Sequence, residues 1–329
     1  MSMEISNQNK LSEFYEELKR LNINVIRPNI NTCFANFSSN GKDFLYALGA
    51  IKNVGYEAIS NVVKERIKNG KFKNISDFIK RTNPKNINKL QLEGLVRAGA
   101  FDEINNNRQS LFNSIPNIIL KSKNNFDNKM DSQINLFDDE FESNDDFLED
   151  IDDWKVENRL SKEFETLGFF ISDHPLNQYK MIFNQYNIVN YDQFESDKNL
   201  LSSNIACTVL KVQEKKTQKG NSYAIVKLSD LNNVFEVFIF SEIFESNREK
   251  LVEGNSIMIT LIKNYIDDLK TQRKINVKKI VTFKEVLNKS FDELNFKINN
   301  IEQLKKLKNL SKIDGKTKIK FQIGNQIRI

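Results

Sequence analysis

A chain of 329 residues, 39% hydrophobic and 28% charged, can build two or three cored domains, and no apolar run approaches the roughly 18 residues a membrane span needs. The net charge of +5 is unevenly spread: residues 138–153 hold ten acidic and no basic residues, so the remainder is strongly basic and suits an anionic partner. Only two cysteines, Cys33 and Cys207, occur, which argues against a disulfide framework or zinc cluster; with no signal-peptide pattern, the expected location is the cytoplasm. The abundance of Asn, Lys, Ile and Phe reads as a coding bias rather than a functional signal.

The first predicted element is a helix ending near Asn22, with Leu11, Phe14, Leu18 and Leu21 on one face. A short strand and turn follow, where Pro28 forces Arg27 extended. Residues 46–68 then predict a short helix, a tight turn at Lys52-Asn53-Val54-Gly55, and a second helix from Tyr56. Gly55 is the residue expected to take positive φ there. Turn amides ahead of a helix N-terminus form an anion site that holds a phosphate without reading a base. The bland alternative is an ordinary helical hairpin packed through Ala47, Ile51, Val54, Ala58, Ile59 and Val62.

A second unit of the same plan follows: a short helix to Arg81, a break at Pro84, a helix with Leu90, Leu95 and Val96 inward, a turn from Gly99, and a further helix over NRQSLFNSIPNII. Two such units in series, with Lys52, Lys85, Lys89, Arg97 and Arg108 nearby, resemble a tandem helix-hairpin-helix domain, which grips a duplex backbone independently of sequence. The expected duplex-contacting set is Lys52, Asn53, Val54, Gly55, Lys89, Arg97, Gly99 and Arg108.

Residues 121–153 are polar and finally acidic, the composition of a flexible linker. Within them stand Gln133, Leu136 and Phe137 in the string QINLF. Two adjacent apolar anchors and a rim glutamine suit docking of an extended peptide into a partner's pocket. From Trp154 a helix carries Leu160, Phe164 and Leu167 on one stripe and stops at Gly168, and Pro175 opens the next helix. His174, the single histidine, reads as a structural cap.

From Asn204 the period switches to two. Strands are expected at 204–215, 221–229, 234–240, 256–265 and 274–283, with a helix at 241–251 between the third and fourth. That order is the order of an OB-fold barrel. Lys211, Lys215, Lys216, Lys219 and Lys227 would line a groove for a single strand, and Tyr223, Phe235 or Phe238 would stack bases, although at least two of these aromatics are expected in the core. After Phe283, a strand, a helix and a second strand begin another α/β unit.

Several strings together, LGAIKNVG, NKLQLEGLVRAGAFD, QINLF, ETLGFFISDHPL and FEVFIFSE, resemble the C-terminal part of the alpha subunits of the bacterial replicative DNA polymerase III, over about residues 10–283. The resemblance implies a multidomain α+β chain: the end of a fingers-like region (1–39), an all-α tandem helix-hairpin-helix domain (40–122), an acidic linker with a sliding-clamp motif (123–153), a helical connector (154–202), a β-barrel OB-fold domain (203–284) and an incomplete α/β domain (285–329). It implies primer–template duplex, single-stranded template and sliding clamp as partners, with other replicase subunits as further candidates. The family's catalytic aspartates and their Mg2+ belong to a palm segment with no match here, so no catalytic residue, no metal site and no cofactor is expected in this chain, and none is assigned to the acidic run.

Two decoys fall. Lys312-Ile313-Asp314-Gly315 matches the lysine motif of nucleic-acid ligases, but too few residues follow it to form the sheet domain that motif needs. Gly315-Lys316-Thr317 lacks the preceding glycine of a phosphate-binding loop, Leu310 standing in its place. Two other readings stay open: a free-standing nucleic-acid-binding module of replication or repair, and an interaction scaffold that binds neither DNA nor clamp.

Overall fold

The structure, a computed structural model, describes residues 1–85, 87–130, 145–217, 220–265, 273–288, 293–298, 318–323 and 326–328. Its helical half opens with α1 (Gln8–Arg20) and a small sheet of β1 (Val25–Ile26), β2 (Ser38–Ser39) and β3 (Phe44–Leu45), with β3 in the centre. A 3-10 turn at Leu48–Ala50 leads to α2 (Tyr56–Asn69), α3 (Ile75–Arg81), α4 (Lys89–Arg97), α5 (Arg108–Asn113), α6 (Ile115–Met130) and α7 (Val156–Leu167). Asparagines start many of these helices. Asn7, Asn74, Asn88 and Asn107 cap α1, α3, α4 and α5 by accepting a first-turn backbone N–H, each cap contributing about 1 kcal/mol. At Asn88 the Gln91 side chain reciprocates, completing a capping box. The asparagine bias thus has structural work to do. Gly168, at φ 84°, ends α7 where the sequence predicts.

One apolar cluster runs from Leu11 and Tyr15 through Ile30, Tyr46, Ile59 and Leu95 to Leu167 and Phe169. The boundaries expected at residues 39 and 153 therefore do not separate cores. On α1 the buried residues are Leu11, Ser12 and Tyr15, while Phe14 and Leu21 are 38% and 57% exposed. The buried stripe is rotated from the predicted one because Tyr15 stacks on Phe169 at 4.5 Å.

The acidic stretch also departs from expectation. α6 carries helix through residue 130, and residues 145–153 lie against the helices as a strap. Asp145 accepts the N–H groups of Ile75 and Ser76 at 3.3 and 2.9 Å, and Asp153 accepts from Gln109 N and Arg159 Nη1 at 3.1 and 2.6 Å. Phe147 and Leu148 pack on the core between these anchors. Asp145 and Asp153 find backbone donors and an arginine here, while Asp146, Asp150 and Asp152 stay exposed.

A connector follows, with a 3-10 helix at Pro175–Ile182 and the short α8 (Tyr191–Ser196). His174 caps the former as predicted, its Nδ1 accepting Leu176 N at 3.2 Å. The sheet half holds β4 (Ser202–Lys216), β5 (Ser222–Ser229), β6 (Val234–Ile239), α9 (Ser241–Asn247), β7 (Ser256–Tyr265) and β8 (Arg273–Thr282). These five strands form one antiparallel sheet, order β6-β5-β4-β7-β8. Long β4 pairs with β7 through its first half and with β5 through its second, and its register with β5 shifts between Val209 and Lys211. The sheet is open: among the described residues no ladder joins β6 to β8, in contrast to the closed barrel expected. Its own core contains Val209, Val226, Val237 and Ile259.

After α10 (Phe283–Asn288), β9 (Glu293–Ile298) pairs in parallel with β10 (Lys318–Ile323), which pairs antiparallel with β11 (Gln326–Arg328). The predicted helix between the first two lies outside the described residues. Among the described residues no helix is long and apolar enough to cross a membrane.

Candidate nucleic-acid interface

The turn ahead of α2 is built from below. Asn53, not Gly55, takes the left-handed conformation, at φ 67°. Asparagine tolerates it because its short polar side chain offsets the steric cost. Gly55 is extended, at φ −76° and ψ 134°, and offers α2 no side-chain cap. What Gly55 supplies is space, since a Cβ there would lie 3.0 Å from Gln91 Nε2. The leg before the turn is a single 3-10 turn rather than a helix. Gly49 N–H donates to Ala35 O at 3.1 Å, and a Cβ on Gly49 would sit 2.7 Å from that oxygen. α4 forms the floor, where a Cβ on Gly94 would lie 2.7 Å from Lys52 O. A lateral tie completes the turn: Thr166 O accepts both Lys52 N (3.2 Å) and Gln8 Nε2 (3.0 Å).

Of the eight residues expected on a duplex, Lys52, Asn53, Gly55 and Lys89 are exposed. Val54 is buried in the helical core. Arg97 is held loosely between Glu93 (3.8 Å) and Glu165 (3.7 Å), with its guanidinium 5.0 Å from the Phe112 ring centroid. Arg108 is a correction. It is 3% exposed; Nε and Nη2 donate to Asp102 at 2.8 and 2.7 Å, and Nη1 donates to Arg97 O at 3.1 Å. Burial opposes its charge, but hydrogen bonds to Asp102 and the charges of Asp102, Glu163 and Asp153 raise its pKa above the ordinary arginine value. Gly99, at φ 76°, is buried beside it, with no room for a Cβ next to that guanidinium. Both residues hold the second turn together from inside.

On the sheet, the outward rows run Lys211–Lys227–Glu236 and Gln213–Ile225–Phe238 across β4, β5 and β6, and Lys215 pairs with Tyr223. Lys215 and Lys216 are exposed; Lys211 and Tyr223 are half-buried. Of the three aromatics only Phe235 is core, stacked on Tyr191 at 4.0 Å, whereas Phe238 is 52% exposed. Phe240, 51% exposed beneath the Lys274 ammonium, is an aromatic the sequence reading passed over. Lys219, and the Gln133, Leu136 and Phe137 motif, lie outside the described residues.

A cavity of about 530 Å³ brings Lys52, Asn53 and Arg97 of the helical half together with Lys211 of the sheet; Lys89, Lys215, Lys216 and Tyr223 stand apart from it. Gly94 was readable in principle as an isolated glycine within a helical pattern. Nothing in the sequence pairs Gln8 or Thr166 with the turn. Among the described residues no group of three or more His, Cys, Asp or Glu side chains is placed to hold a metal.

A family described as "Helix-hairpin-helix motif" matches residues 22–111, which contain the turn and both helical units. Curated relatives named "DNA polymerase III subunit alpha" align along most of the chain. The one from Borreliella burgdorferi is 30% identical over 94% of this chain and 28% of its own length. Those from Rickettsia prowazekii and Caulobacter vibrioides are each 30% identical over 93% and 79% of this chain, and 29% and 23% of their own. The chain thus spans about a quarter of the length of the curated relatives it matches. With a helix-hairpin-helix match that includes the turn at Asn53, this chain belongs, along most of its length, to the family of the bacterial DNA polymerase III alpha subunits.

Proposed function

We propose that this chain is a cytoplasmic DNA-holding and clamp-tethering portion of a replicative polymerase. The turn at Lys52–Gly55, together with Lys89 at the start of α4, grips the phosphate backbone of primer–template duplex. The observation carrying this reading is the exposure of Lys52, Asn53 and Gly55 at a helix N-terminus that no side chain caps. Single-stranded template lies on the outward face of β4–β6, where Lys211, Lys215, Lys216 and Lys219 neutralise phosphates and Tyr223 and Phe238 stack bases. The strand order, the register shift in β4 and the position of α9 between the third and fourth strands support an OB-type sheet. Gln133, Leu136 and Phe137 dock into a sliding clamp. Polymerisation itself falls to palm carboxylates and Mg2+ outside this chain, which is inactive alone.

Duplex affinity measured against salt tests the grip. Each phosphate neutralised steepens the log–log slope by about 0.9, so Lys52→Gln with Lys89→Gln should flatten it by about 2. A wild-type affinity indifferent to salt would remove the phosphate grip from the reading.

A further inference from the structure

The hairpin turn and the sheet were assigned separate ligands, yet both line one cavity. Lys52 and Asn53 form one wall and Leu210 and Lys211 the opposite wall, over a floor at Gly94. We propose that this cleft holds a single strand of nucleic acid that passes directly from the hairpin turn to β4, so that both halves of the protein grip one continuous ligand. The proposal rests on the nucleic-acid reading above and adds a path to it.

Charge, size and surface each support this. The Lys52 ammonium has no hydrogen-bond or ion-pair partner among the described residues, and Lys211 Nζ has one neutral acceptor, Asn9 Oδ1 at 3.3 Å. Three acids, Glu93, Glu165 and Glu253, line the cleft as well, with Arg97 among them. Glu93 and Glu165 flank Arg97, and Glu253 accepts Val212 N at 3.4 Å. Lys52 and Lys211 stand on opposite walls, where each can neutralise a phosphate of one strand. The cavity lies within the roughly 300–1,000 Å³ range of small-ligand sites, room for one or two nucleotides. Leu90, 55% exposed on α4 where the sequence pattern places it inward, lines the same cleft with Leu210 and offers an apolar surface to a base. A ligand there covers a leucine that the fold leaves in water.

The test uses the full chain and fluorescence anisotropy with a blunt duplex, an isolated single strand, and duplexes carrying a 5′ or a 3′ single-stranded extension. Lys211→Gln should weaken one of the extended duplexes about three- to fivefold, the worth of one exposed charge pair, and leave the blunt duplex unchanged. Lys52→Gln should weaken blunt and extended duplexes alike. Lys278→Gln, an exposed charge on β8 outside the cleft, controls for general charge loss and should not separate the ligands. If Lys211→Gln weakens only the isolated strand, or affects extended and blunt duplexes equally, the shared path is wrong while the hairpin reading survives. If Lys52→Gln leaves the blunt duplex untouched, the hairpin reading fails, and the path fails with it. Thermal melts of all three variants confirm that folding is not the cause.

Discussion

His174 shows how one side chain ties the connector to the sheet and makes that tie sensitive to acid. Its Nδ1 accepts Leu176 N, so the proton sits on Nε2 and faces Ser229 Oγ at 3.2 Å, and that hydroxyl in turn donates to Asp230 O. A second proton would set Nδ1–H against an N–H. Burial first, and the positive charge of Lys19 next, hold its pKa down at about 4, with Asp230 and Asp173 opposing them. Because the folded value lies below the unfolded value of about 6.5, the contribution is complete above pH 6.5 and is lost as pH falls towards 4. Between pH 7 and pH 5 the wild type should lose about 2 kcal/mol that His174→Gln does not lose, read by urea unfolding at both pH values. Equal losses in the two proteins would mean that His174 is not the titrating group.

At the level of elements, α4 and the turn above it depend on a missing side chain. In an open helix, alanine in place of glycine would gain about 1 kcal/mol of stability. At Gly94 the added Cβ would lie 2.7 Å from Lys52 O and 3.1 Å from Val54 Cγ2, so α4 or the turn must shift. Gly94→Ala should therefore destabilise by about 1–3 kcal/mol and weaken duplex binding through the displaced turn; a raised melting temperature would contradict this packing. The same elements show what the sequence carries plainly. Regular alternation placed all five strands of the main sheet within a few residues, because period and burial agree there. Local periodicity is silent on contacts between distant segments, which is why Arg108 was placed outward although Asp102 and Glu163 hold it inside. The left-handed residue went to glycine by default, while the backbone used Asn53. The acidic strap looked unstructured because its partners, Ile75, Ser76 and Gln109, lie far from it in the chain.

Across the whole molecule, duplex grip and clamp docking are expected to be separable. Leu136→Ala with Phe137→Ala should abolish clamp capture in a pull-down with purified clamp and leave duplex affinity unchanged, since neither residue belongs to the turn or the sheet face. Retained capture would move the tether elsewhere. The carbonyl of Thr166 carries a consequence for how the protein is made. It accepts from Gln8 and from Lys52, so the turn near the start of the chain takes its final tie from a residue translated long after it. Synthesis runs from the N-terminus, and early segments begin to organise before later ones emerge from the ribosome. The nascent hairpin therefore lacks this tie until α7 arrives, and under the proposed function its grip on DNA would mature in step with translation.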